Sequence, residues 1–219
     1  MAASLPLEIG ERVQPRPPQI TAAGLRHAGG NIMLAAMFFI TALPNARHLD
    51  RGANLVWVVG AVMMGAMSIV RIPPRTVMMN ARAFASTAAV LLLPCMVRPV
   101  LPSIGMMAWT GIALEIFGVG LSQVARIYMG RSFGILPGNR GIVSKGPFRF
   151  VRHPIYAGWF LLTAGYLFSY PSRANLFIMI VTLPFMIWRI SLEEELLVAD
   201  PEYCEYEKRV SSRLIPGLF

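Results

Sequence analysis

Six apolar runs, separated by short polar and basic segments, most constrain the fold of this chain. The runs cover residues 28–43, 53–70, 83–101, 103–129, 157–170 and 174–190. Of the 219 residues, 55% are hydrophobic and 14% are charged, whereas about a quarter of the residues in soluble domains are charged. Because a backbone in lipid must satisfy its own hydrogen bonds, each run is predicted to be a helix. The sequence therefore predicts an all-α integral membrane protein with about six transmembrane helices.

The lengths of the runs leave one alternative open. Run 157–170 has fourteen residues, which give about 21 Å of helix against a hydrocarbon core of about 30 Å. It must tilt, or begin inside the preceding loop, in order to span. Run 28–43 is also short, and a five-span alternative places it on the membrane surface.

In the fourth run, four glycines predict close helix contacts: Gly105, Gly111, Gly118 and Gly120.

The positive charges indicate an orientation in the membrane. With six spans, sixteen of the twenty Lys and Arg fall on one side, and the other four are Arg47, Arg51, Arg98 and Arg173. The positive-inside rule then places both termini and the loop after the fourth run in the cytoplasm. In the five-span alternative, the Lys and Arg residues are distributed less unevenly between the two sides. The net charge of +9 therefore reflects topology, and no nucleic-acid partner is predicted.

The polar loop, residues 140–156, holds the first candidate site. It carries Arg140, Lys145, Arg149, Arg152 and His153 between two apolar runs. A helix that begins after the proline at position 154 offers free N–H groups, which favour a ligand with a carboxylate. The alternative is that the arginines anchor in lipid headgroups and that the histidine caps the helix. The residue types alone leave both interpretations open.

A second polar cluster follows at residues 189–195. Arg189 and Glu193 are four residues apart and share a helix face, so they can pair. A carboxylate there also suits a sulfonium, a ribose hydroxyl or an amino group.

Glu115 lies in the middle of the fourth run, where an ionised carboxylate costs much free energy. A structural hydrogen bond and a substrate-binding role are both open for Glu115.

The C-terminal part of the chain resembles a known family. It contains GIVSKGPFRFVRHPIYAGW at 141–159 and RISLEEELL at 189–197, then two tyrosines three apart and a tail ending in LIPGLF. These motifs resemble the isoprenylcysteine carboxyl methyltransferases and their bacterial relatives, which in turn resemble the phospholipid N-methyltransferases. The resemblance covers roughly residues 132–219. It implies a C-terminal pocket for S-adenosyl-L-methionine, formed by the loop, a helical hairpin and an amphipathic tail, with S-adenosyl-L-homocysteine as product and no metal.

The resemblance also implies roles for individual residues. Arg189 would hold the acceptor and, with Glu193 and Arg152, form the catalytic group, while Glu115 is a further candidate for binding substrate. Arg140 stands where the family usually has histidine, a departure that bears on the substrate more than on the cofactor. The cofactor would be bound by Arg140, Gly141, Ile142, Val143, Gly146, Phe148, His153, Pro154, Ile155, Tyr156, Glu193 and Glu194.

These patterns predict three regions and one activity. Residues 1–27 form a polar arm, 28–129 the N-terminal transmembrane helices and 130–219 the methyltransferase core.

The expected reaction is carboxyl O-methylation of an isoprenylcysteine-like or other lipidic carboxylate. The alternatives are N-methylation of a phospholipid amine, O-methylation of a lipidic phenol, and a non-catalytic membrane scaffold. The acceptor would be a membrane lipid or a lipophilic small molecule, and the bacterial inner membrane is the expected location. The sequence defines no oligomeric state.

Overall fold

The computed structural model of the protein describes residues 22–70, 72–132, 134 and 136–218. The predicted N-terminal arm lies outside this part except for residues 22–27, which belong to the first helix. The described chain is mostly helical, with helices α1 Ala22–Ala46, α2 Gly52–Ile69, α3 Ala81–Leu92, α4 Gly105–Met129, α5 Pro154–Ser169, α6 Arg173–Leu197 and α7 Pro201–Arg209. Short 3-10 turns follow α3 and α4, and a third covers Gly146–Arg149.

Four of the described helices are long and apolar enough to cross a membrane: Ala28–Ala46 within α1, and all of α2, α4 and α6. This agrees with the predicted all-α integral membrane fold. The apolar stretch Ala81–Met96 is shorter, and α5 has 16 residues. The number of spans, six or five, therefore stays a prediction.

The prolines after α3 correct one predicted boundary. Run 83–101 is predicted to be one segment, with a kink at Pro94 and an interruption at Arg98, whereas α3 ends at Leu92 and passes into a 3-10 turn, Leu93–Met96. Pro94, Pro99 and Pro102 lack the N–H groups that an α-helix would need there. The chain is consequently without helix from residue 97 until α4 begins at Gly105.

Helices α4 and α5 pack backbone against backbone. A Cβ atom on Gly118 would lie 2.5 Å from the carbonyl oxygen of Gly158. Two turns earlier on α4, a Cβ atom on Gly111 would lie 2.8 Å from the carbonyl oxygen of Gly165. The hydroxyl of Ser122 donates to the carbonyl of Ile155 at 3.1 Å. This close packing fixes the start of α5 against the last turns of α4.

The N-terminal helices complete the bundle. Helix α1 packs on α2, α2 packs on α4, and α3 packs on α6. The hydroxyl of Tyr166 in α5 donates to the side chain of Asn45 at 2.8 Å, and its ring lies 4.8 Å from that of Trp57. Strand β1, Thr76–Val77, pairs antiparallel with strand β2, Gly138–Asn139. The α2–α3 connection is thereby tied to the segment that leads into the polar loop.

Candidate functional site

A cavity of about 240 Å³ lies between the N-terminal helices and the polar loop. Its apolar end is lined by α1, α2 and α3, through residues that include Phe38, Trp57, Gly60, Met64 and Leu91. Its polar end is lined by the loop and by α5 and α6, through Arg140, Arg152, His153, Tyr156, Arg189 and Glu193. The cavity therefore joins a charged compartment to one that suits a hydrocarbon chain.

Most of the predicted site residues meet at this cavity. Its lining contains Arg140, Gly141, Ile142, Val143, Phe148, Arg152, His153, Pro154, Ile155, Tyr156, Arg189 and Glu193. Three predicted residues, Gly146, Glu194 and Glu115, are not part of the lining. The structure thus brings together the loop and the cluster on α6, which are more than thirty residues apart in the chain.

The phenol of Tyr156 connects two of the three residues predicted to be catalytic. Its hydroxyl donates to Glu193 at 2.9 Å and accepts from the Nε of Arg189 at 2.8 Å. The Nη1 of Arg189 also donates to the hydroxyl of Thr87 in α3. Arg189 is therefore held from two other helices, and Tyr156 lies between the cation and the carboxylate.

Glu194 serves as a structural tie. Its side chain is 6% exposed and lies 3.0 Å from the Nε of Arg152, 3.1 Å from the Nε2 of His153 and 2.8 Å from Nη2 of Arg213. Glu194 itself is not part of the cavity lining, whereas Arg152 and His153 are, and its predicted contact with the cofactor stays a prediction. These ion pairs hold the loop and the C-terminal tail against α6.

The C-terminal tail and α7 close over the loop. The backbone N–H groups of Arg152 and His153 donate to the carbonyls of residues 212 and 213, each at 2.9 Å. The hydroxyl of Tyr206 donates to the carbonyl of Phe148 at 2.8 Å. Burial raises the pKa of Tyr206, so the hydroxyl keeps the proton that it donates. The predicted amphipathic tail is thus part of the structure around the site.

Glu115 and Gly146 have roles away from the cavity. Glu115 is fully buried between α4 and α5, and it accepts a hydrogen bond from Ser169 at 2.7 Å. This hydrogen bond agrees with the structural interpretation of Glu115, and its role in binding substrate stays a prediction. Gly146 has a φ of +60°, and a Cβ atom there would lie 2.5 Å from the ring of Tyr128. Gly146 is therefore needed for the turn that carries Phe148 into the lining.

Sequence reasoning missed the cavity residues on the N-terminal side. Gln123 and Arg126 on α4 and the apolar residues of α1–α3 line the cavity, and Thr87 orients Arg189. Arg126 was counted only as a basic residue at the end of a span. Its position three residues after Gln123 and four after Ser122 was the available signal, because polar residues at that spacing share one helix face.

One known family matches part of this chain. Residues 103–200 match the model of the phospholipid methyltransferase family, PEMT. This stretch, somewhat less than half of the chain, is similar to that family. The match runs from just before α4 to just before α7, and it contains every predicted site residue, whereas α1–α3 lie outside it. It supports a membrane methyltransferase that acts on lipid and confirms the predicted relation to the phospholipid methyltransferases for this stretch. The relation to the isoprenylcysteine carboxyl methyltransferases stays a prediction. No curated protein matches the chain.

Proposed function

We propose that this protein is an integral membrane methyltransferase that uses S-adenosyl-L-methionine and methylates the carboxylate of a lipophilic acceptor. One observation carries the proposal: a single cavity joins the charged residues of the polar loop and α6 to an apolar compartment formed by α1–α3. A cofactor at the polar end and a lipid chain at the apolar end would bring the reacting groups together between them. The match to a methyltransferase family supports the reaction class.

The residues at the polar end fit the cofactor. Its sulfonium is a cation, which the carboxylate of Glu193 and the ring of Phe148 would stabilise. Its own carboxylate suits Arg140 or His153. Ile142 and Val143 offer apolar contact for the adenine. When bound, the cofactor supplies an electrophilic methyl group.

The protein's own residues would orient the acceptor. Arg189 is held by Tyr156 and Thr87, so its guanidinium is positioned before an anionic acceptor arrives, and orientation of this kind lowers the barrier. A carboxylate acceptor already carries its nucleophilic lone pair and needs no general base. A phenol or an amine must lose a proton, and Glu193, hydrogen bonded to Tyr156, is then the candidate base.

A second candidate function is N-methylation of a phospholipid amine. The observation that favours it is the family match itself, since the family is that of the phospholipid methyltransferases. An amine head group would depend on the carboxylate of Glu193 more than on Arg189. A lipidic phenol as acceptor and a non-catalytic scaffold are outcomes that the same experiment separates.

The test is transfer of labelled methyl from S-adenosyl-L-methionine to three amphiphiles with one chain and different heads: a carboxylate, an amine and a phenol. We expect the carboxylate to be methylated. Loss of a charge-assisted contact should lower this rate at least about tenfold in Arg189→Ala, and Arg82→Ala, at an exposed ion pair, is the control. Full turnover in Arg189→Ala would contradict the role of Arg189. Methylation of the amine that survives Arg189→Ala but not Glu193→Gln would favour N-methylation.

A further inference from the structure

Two polar residues of α4 line the cavity, and the mechanism proposed above uses neither. Gln123 and Arg126 lie about one turn apart on the same face, and they are 6% and 2% exposed. Both fall within a helix that is otherwise apolar enough to span a membrane. Burying the amide of Gln123 there is costly unless a polar partner is present.

The pair lies between the two ends of the cavity. Val119 precedes the pair on α4, and its side chain lies 3.1 Å from the position that a Cβ atom of Gly60 in α2 would take. This part of α4 therefore faces the apolar end of the cavity. On the C-terminal side, Met129 packs against the buried cluster that contains Phe148 and Tyr206, and Ile142 and Val143 of the polar loop pack against the same cluster. An amphiphile whose chain lies along α1–α3 would therefore have its head group beside Gln123 and Arg126.

The side-chain chemistry indicates what kind of head group fits. The side-chain oxygen of Gln123 is buried and has no hydrogen-bond partner within the described part of the chain. It can accept a hydrogen bond from a ligand N–H or O–H group. The guanidinium of Arg126 is a donor suited to an oxyanion. The two side chains together suit a ligand that carries an oxyanion and, next to it, an N–H or O–H group.

We propose that Gln123 and Arg126 form a head-group site for an amphiphile in which an oxyanion lies beside an N–H donor. The proposal rests on the proposed function, because it assigns the acceptor's head group to the α4 side of that cavity. Two lipids have this chemistry: an N-acyl amino acid, with a carboxylate, and phosphatidylethanolamine, with a phosphate and an ammonium group. In either case Arg126 would contact the oxyanion, together with Arg189 where that oxyanion is the carboxylate to be methylated, and Gln123 would accept a hydrogen bond from the N–H group.

The test measures binding without turnover. Purified protein loaded with S-adenosyl-L-homocysteine is titrated with N-palmitoylglycine, with dipalmitoyl phosphatidylethanolamine and with hexadecanol, which has a chain but no charge. We expect Gln123→Leu and Arg126→Gln each to weaken binding of the charged amphiphile at least about tenfold. Binding of hexadecanol and of S-adenosyl-L-methionine should stay unchanged. Arg82→Gln is the matched arginine control, and Arg126→Lys should restore part of the affinity because it keeps the charge.

The outcomes separate this inference from the proposed function. Unchanged affinity for both charged amphiphiles in Gln123→Leu and in folded Arg126→Gln would overturn the site. Loss of S-adenosyl-L-methionine binding in these variants, with amphiphile binding intact, would also overturn it and assign the pair to the cofactor. Variant-dependent binding of either charged amphiphile supports the site and identifies which oxyanion it takes. This result holds even where the labelled-methyl assay shows no transfer to any acceptor, an outcome that counts against the proposed function alone.

Discussion

At the scale of single residues, the site depends on which face of α6 each acidic side chain occupies. Glu193 accepts a hydrogen bond from Tyr156 and lines the cavity. Glu194 contacts Arg152 and His153, and Glu195 pairs with Arg82 at the surface. Consecutive residues on a helix point about 100° apart, so three adjacent glutamates have three different roles.

Tyr156→Phe tests the connection between Arg189 and Glu193. The substitution removes the hydroxyl that accepts from one and donates to the other. We expect kcat/KM for methyl transfer to fall roughly tenfold to a hundredfold, with the unfolding temperature little changed because the ring remains. Tyr128→Phe, at a half-exposed tyrosine outside the cavity lining, is the control. Undiminished kcat/KM in Tyr156→Phe would show that the phenol is not needed.

Glu194→Gln tests the structural tie. The substitution leaves Arg152, His153 and Arg213 without the negative charge that they share. We expect a loss of about 3 kcal/mol or more in unfolding free energy, measured by denaturant unfolding in detergent. Glu195→Gln should cost less than about 1 kcal/mol because its ion pair is exposed. Equal stability of the two variants would contradict the structural role of Glu194.

At this scale the sequence indicates which polar residues come together, but not the contacts that each of them makes. The loop and the α6 cluster could be found because cations and carboxylates are rare among apolar runs. The separate roles of Glu193 and Glu194 depend on the rotation of α6 relative to the loop. The approach of Thr87 to Arg189 depends on where α3 packs. Neither quantity can be obtained from spacing along the chain.

At the scale of elements, the contact between α4 and α5 positions the site. The glycines let the two backbones approach closely, and the start of α5 then places Tyr156 beside the cavity. Four glycines of the fourth run were predicted to make close contacts. Gly111 and Gly118 do so, whereas a Cβ atom on Gly105 or on Gly120 would meet nothing within 4 Å. Which glycines make close contacts depends on how α4 is aligned along α5. This alignment cannot be read from the sequence of α4 alone.

Gly118→Ala tests this contact against a matched glycine on the same helix. The new Cβ atom would lie 2.5 Å from the backbone of α5, so the helices must separate. We expect a loss of about 1–3 kcal/mol in unfolding free energy and reduced methyl transfer. Gly120→Ala should change stability by no more than about 1 kcal/mol, in the stabilising direction. The same loss in both variants would mean that the close contact is not what stabilises the pair.

At the scale of the whole molecule, the C-terminal half could be predicted in more detail than the N-terminal half. The loop and α6 carry recognisable motifs, whereas α1–α3 show only apolar runs, and many packings of such runs are compatible with their composition. The sequence indicates a kink at Pro94, but it does not show that the helix ends at Leu92. The apolar end of the cavity could be inferred only as a general tunnel, without its residues.

The predicted topology can be tested by labelling. In a background without Cys95 and Cys204, single cysteines are introduced as Ser4→Cys and Lys208→Cys. With six spans, an impermeant maleimide should modify both from the cytoplasmic face of membrane vesicles. Arg47→Cys, in the turn between α1 and α2, should react only from the opposite face. Reaction of Ser4→Cys from the face opposite to Lys208→Cys would instead support the five-span alternative.

Cofactor binding can be measured by a calorimetric titration of the purified protein with S-adenosyl-L-methionine and S-adenosyl-L-homocysteine. We expect the intact protein to bind both. His153→Ala and Glu193→Gln, which alter the loop and α6 at the polar end, should each weaken binding by at least about tenfold. No binding of either compound by the folded, intact protein would contradict the claim that this cavity is a methyltransferase site.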